Sequence, residues 1–67
     1  MYKIIITSNF SLGHEYESDE PITALEAADK YGRCDGDEII SVYRDDTLIE
    51  QARWTPEDGG YYYECEI

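Results

Sequence analysis

The sequence predicts an α+β fold: a small antiparallel β-sheet of four to five strands, in the order β-(β)-α-β-β-β, with one helix packed on one face. Two patterns and one bound lead to it. Short runs of β-branched and aromatic residues alternate with turn chemistry, and a single segment carries helical spacing. The length of 67 residues suits a single domain spanning 1–67, and a chain of this size hides only about 60% of the surface its unfolded form exposes.

The elements follow in order. Tyr2 to Asn9 is rich in β-branched residues and gives way to the polar segment Asn9 to Gly13, which suits a central strand and then a turn. His14 to Ser18 alternates and returns as a short second strand. Thr23 followed by Glu26 has the form of a capping box, opening a helix that runs to about Tyr31. Its apolar positions Ala24, Leu25, Ala28 and Tyr31 recur at helical spacing, and Gly32 is expected to end it in the left-handed conformation. Arg33 to Asp37 is a polar loop, and Asp35-Gly36-Asp37-Glu38 reads as a solvated turn feeding the strand Glu38 to Arg44.

Asp45-Asp46 forms a tight connection to a partner strand, Thr47 to Trp54. The segment Thr55 to Gly60 turns the chain again, and Tyr61 to Ile67 is the last strand. A two-residue turn sets Tyr43 opposite Leu48 and Val42 opposite Ile49. One face then carries Ile40, Val42 and Ile49, and the other carries Ile39, Tyr43, Leu48, Ala52 and Trp54 with Ser41 and Glu50 among them. In the last strand Tyr61, Tyr63, Cys65 and Ile67 share a face opposite Tyr62, Glu64 and Glu66. One helix covers one face of a sheet, so the other is expected to keep aromatic and apolar residues, the composition of an interface. Trp54 is expected to be structural and Tyr62 the more exposed.

Sixteen Asp and Glu against five Lys and Arg give a formal net charge of −11. That excess favours solubility and attraction to positive surfaces and opposes compaction, so direct nucleic-acid or membrane binding is not expected. The 42% hydrophobic content and seven tyrosines argue against disorder. The amino-terminal apolar run reads as a buried strand rather than a signal peptide, and no stretch approaches the roughly 20 apolar residues of a membrane helix. Cys34 and Cys65 are expected to be reduced thiols in a cytoplasmic protein.

No catalytic, cofactor-binding or metal site is expected. His14, the single histidine, sits beside Glu15 and Glu17 without a nucleophile nearby in sequence. It and the two cysteines fall short of a four-ligand zinc set, and the acidic loop lacks the calcium pattern. The glycines fall at turns with no following helix to cradle a phosphate.

The acidic residues carry the positive expectation. Glu64 and Glu66 stand two apart on one strand face, about 6.8 Å from each other, and Asp45, Asp46, Glu57 and Asp58 extend the charge beyond the sheet. A surface of this kind is expected to fit a groove built to grip DNA phosphates. In size, charge and fold class the chain resembles the small acidic proteins with which phages and mobile elements inhibit host defences, the DNA-mimicking anti-CRISPR and anti-restriction proteins. That resemblance implies a basic nucleic-acid-binding protein as partner, such as a CRISPR effector or restriction enzyme. The expected function is therefore that of a non-enzymatic inhibitor working by DNA mimicry, with Asp45, Asp46, Glu57, Asp58, Tyr62, Glu64 and Glu66 as partner-binding residues. The alternative is a protein-interaction or assembly module without mimicry, a homodimer or a regulatory subunit.

Overall fold

The computed structural model describes residues 1–9, 13–33 and 36–65. Five strands and one helix appear in the expected chain order: β1 (Tyr2–Ser8), β2 (His14–Ser18), α1 (Ala24–Tyr31), β3 (Glu38–Arg44), β4 (Thr47–Trp54) and β5 (Tyr62–Cys65), with a 3₁₀ turn at Pro56–Asp58 between the last two strands. The strands form one antiparallel sheet in the order β2-β1-β3-β4-β5. The expected fold class is thus shown, with the weak second strand as a full member of the sheet. Expectations placed on Cys34, Asp35, Glu66 and Ile67 fall outside the described residues.

The helix starts as its sequence dictates. Thr23 Oγ1 accepts from the Glu26 N–H at 3.1 Å, and the Glu26 carboxylate accepts from the Thr23 N–H at 3.1 Å, so both halves of the capping box form. A second carboxylate, Glu50 of β4, accepts from the Ala24 N–H at 3.2 Å and ties this end to the sheet. Ala24, Ala27 and Ala28 are buried, whereas Leu25 is 40% exposed. The expected apolar stripe is corrected here. At about 100° per residue, positions 24, 27, 28 and 31 cluster on one side while 25 lies a quarter-turn away, and three alanines let the helix sit close against the strands.

Beneath α1 lie Ile4 and Ile6 of β1, Ile40 and Val42 of β3 and Ala52 of β4, all at 2% exposure or less. Tyr31, at the end of the helix, stacks on Tyr16 of β2 with ring centroids 4.2 Å apart and planes 13° from parallel, which anchors the helix to the edge strand. Gly32 departs from expectation: its φ of −62° is not left-handed. The glycine is needed for closeness instead, since a Cβ there would collide with the Tyr62 hydroxyl and the Ala28 carbonyl.

The β3–β4 hairpin is where the structure most changes the reading. Asp45 and Asp46 both have positive φ, 49° and 70°, as a type I′ turn requires. Tyr43 pairs with Leu48 as expected, but the register then shifts, and Val42 faces Glu50, Ile40 faces Ala52 and Glu38 faces Trp54. Ile49 is the extra residue of a β-bulge. Because strand side chains alternate, one inserted residue sends everything after it to the opposite face. Glu50, Ala52 and Trp54 therefore lie on the helix side rather than with Tyr43.

Gly32→Ala is expected to lower stability by roughly 1–3 kcal/mol through overpacking, against the small gain typical where space and conformation permit the methyl group. Urea denaturation measures it, and an unchanged midpoint would contradict the close approach of Gly32 to Tyr62.

Candidate functional site

Three features bear on function, and the first is a buried carboxylate. Glu38 shares a face with Ile40 and Val42 and is fully buried, so the reading of its turn as solvated is corrected at this residue. Its Oε1 accepts from the Tyr62 hydroxyl at 2.6 Å and from the Arg33 N–H at 3.0 Å. A carboxylate in an apolar interior is tolerated only when it gathers donors, and here those donors come from the segment after α1 and from β5. Glu38 thus joins the helix exit, β3 and the last strand. Tyr62, expected to be exposed, is half-buried against the core and lies 6.4 Å centroid to centroid from the Trp54 ring. The two aromatics form a cross-strand pair on the helix side of the sheet rather than one core and one surface residue. Beside them an open depression of about 330 Å³ is lined by Leu25, Ala28, Asp29, Gly32 and Tyr62.

The second feature is the arrangement of the exposed acids. Asp45 and Asp46 project from the hairpin tip and share a shallow cleft of about 270 Å³ with Met1, Lys3 and Glu17. Asp45 meets the Met1 amino group at 3.6 Å, with the Asp45 side chain 81% exposed. Glu57 is exposed on the 3₁₀ turn beyond the other end of β4, so the two acidic groups are separated by the strand's length, about 23 Å over Thr47 to Trp54. Glu64 is exposed on the edge strand β5, opposite Ala52. Of the expected partner-binding residues, Asp45 and Asp46 stand together, Glu57 and Glu64 stand apart from them, and Tyr62 is packed inside. Glu66 and the Asp58 side chain fall outside the described residues. The sequence reading missed Glu17, which its alternation with Tyr16 on β2 places outward.

Opposing cations are few. Lys3 Nζ lies 3.2 Å from Glu15, whose hydrogen bond and charge hold the lysine pKa above its ordinary value. Arg33 Nη1 donates to His14 Nε2 at 2.9 Å, so His14 is engaged by a cation rather than simply solvated. Surface pairs of this kind add little stability, and the acidic excess stays uncompensated.

The third feature is the uncovered side of the sheet. Ile5, Ile39, Tyr43, Leu48, Tyr63 and Cys65 alternate with the helix-side residues and are half-buried. Register places Ile5 beside Ser41, Ser41 beside Gln51 and Gln51 beside Cys65, and the Gln51 amide donates to Ser41 Oγ at 3.1 Å in the centre of that face. Among the described residues no helix or strand packs over it, since α1 lies against the opposite side.

Among the described residues no three of His, Cys, Asp and Glu come together as a metal-holding group, Cys65 is a free thiol, and no helix is long and apolar enough to cross a membrane. No protein-family model matches the chain, and comparison with curated proteins and with solved structures gives no match.

Two outcomes follow from this geometry. Tyr62→Phe is expected to cost about 1–3 kcal/mol in urea denaturation, because it leaves a buried carboxylate oxygen short of a donor; a neutral substitution would contradict the joint at Glu38. Raising sodium chloride from about 0.15 to 0.5 M is expected to raise the Tm by screening self-repulsion among the acids, and a salt-independent Tm would mean that the acidic surface is not repulsive.

Proposed function

We propose that this protein is a non-enzymatic acidic inhibitor that occupies the DNA-binding groove of a basic, nucleic-acid-handling partner, a CRISPR effector or restriction enzyme, in the cytoplasm. The observation that carries this reading is the density of uncompensated charge. Leaving out the buried Glu38, the described residues hold thirteen Asp and Glu against five Lys or Arg along a longest dimension of 32 Å, a net of one negative charge per about 4 Å. Duplex DNA carries one per about 1.7 Å of axis, so the protein offers roughly half the charge density of the ligand it displaces. Acidic groups at both ends of β4 span a distance that a single phosphate contact does not, which suits a groove lined along its length by arginine and lysine.

The hairpin tip supports the same reading. A type I′ turn favours glycine at its second central position, yet Asp46 stands there with φ 70° beside Asp45 with φ 49°. Aspartate enters that region more readily than most L-residues but less freely than glycine, so Asp46 keeps a carboxylate at the tip where glycine is the better turn former. A second reading, an assembly module without mimicry that forms a homodimer or serves as a regulatory subunit, is favoured by the uncovered face with Tyr43 and Tyr63.

The experiment is a competition gel with purified guide-loaded CRISPR effectors and restriction endonucleases. The reading expects a complex that excludes duplex DNA and weakens at least tenfold between 50 and 200 mM salt. A complex that still takes up DNA with undiminished affinity moves the assembly module to first place. Asp46→Gly is expected to raise stability by about 0.5–1 kcal/mol while weakening the complex, so the two quantities move in opposite directions; unchanged affinity would remove the hairpin tip from the contact.

A further inference from the structure

We infer that the uncovered face of the sheet is a docking surface for a basic amphipathic helix of the partner protein. This rests on the reading of the protein as a binder of a basic partner, and it names which surface supplies the apolar part of that contact. Ile5, Ile39, Tyr43, Leu48 and Tyr63 face the same way on four adjacent strands. Stable sheets bury both faces or keep one polar, and this face carries aromatic and branched side chains around the Ser41–Gln51 pair. Four strand spacings of about 4.8 Å make the sheet about 19 Å wide between its outer strands, a width crossed by a helix of roughly 13 residues at 1.5 Å per residue. A helix laid there completes a three-layer sandwich, whereas an extended peptide pairs with a sheet edge instead.

Charge selects the occupant. Glu15 and Glu17 of β2 project on this side, and Asp45 and Asp46 fringe the same corner from the hairpin tip. Two cations share this face: Lys3, already paired with Glu15, and Arg53, which lies between Ile39 and Tyr63 at the end away from the acidic corner, so the helix sets its basic residues toward the β2 and hairpin-tip acids. A helix with an apolar stripe seats on Ile39, Tyr43 and Leu48 and extends its lysines or arginines to these carboxylates. A second copy of the chain brings another net charge of −11 against the same corner, which the acids repel.

The test uses the whole protein and three synthetic peptides: an 18-residue Leu/Lys peptide with leucines on one helical face, a permuted isomer of identical composition without a stripe, and oligolysine. Calorimetry at 0.15 M salt and amide chemical shifts are the readouts. The striped peptide is expected to bind at least tenfold more tightly than its isomer and to shift Ile5, Ile39, Tyr43, Leu48 and Tyr63. The triple variant Ile39→Thr, Leu48→Thr, Tyr63→Thr, which keeps the charge and the strand preference, is expected to erase the difference. Equal binding of all three peptides to the natural sequence overturns the docking surface while leaving the acidic binder standing. Binding of none overturns both. A wild-type dimer that the triple variant dissolves overturns the helical occupant in favour of a second copy. The comparison of peptides on the natural sequence decides the matter even if the triple variant does not fold.

Discussion

The register between β3 and β4 is the constraint on which the two faces of this protein depend. With Ile49 bulged, Glu50 reaches the first helical amide, Ala52 lies under the helix, and Trp54 lies opposite Glu38 and next to Tyr62. Without the bulge each of these would turn outward, and the helix would lose its floor along with one tether. The turn sets the other boundary of the same shift: with two left-handed aspartates it holds Tyr43 against Leu48, and the extra residue is absorbed immediately afterwards.

Helix α1 has eight residues and is too short to persist alone in water, so its order comes from its attachments. At its start these are the capping box and Glu50; at its end, the Tyr16–Tyr31 stack and the Glu38 joint through Arg33. Glu38 is the costliest member of the set, because a carboxyl group in the interior is held by specific donors and not by apolar contact. A chain with such a large acidic excess has spent one of its carboxylates inside the fold, where it orders the segment linking helix and sheet, and kept most of the rest on the surface. That division separates the acids that build the fold from those available to a partner.

Much of this was legible in the sequence. Period-two runs and turn residues gave all five strands, and the Thr23/Glu26 spacing gave the helix start, because these are local signals satisfied by neighbours in the chain. Three features were not local. The bulge at Ile49 leaves no compositional mark, since isoleucine suits a strand paired or unpaired. The role of Gly32 depends on Tyr62, thirty residues away. Glu38 was misplaced by its acidic neighbours, although its alternation with Ile40 and Val42 assigns it to the core side. For the candidate site, the acidic tip at Asp45 and Asp46 was legible because turns expose their side chains, while the membership of the uncovered face was only half right, Tyr43, Leu48 and Ile39 staying where alternation put them and Ala52 and Trp54 moving across.

The uncovered face is what the register leaves behind, and it can be seen in solution without knowing the partner. Paramagnetic relaxation by a neutral gadolinium chelate, measured on the methyl and aromatic resonances of the free protein, reports which side chains the solvent reaches. The account predicts clearly greater relaxation at the half-buried Ile5, Ile39, Tyr43, Leu48 and Tyr63 than at the buried Ile4, Ile6, Ile40, Val42 and Ala52. Equal protection of Ile39 and Ile40 would contradict it, because the face would then be covered by the protein itself.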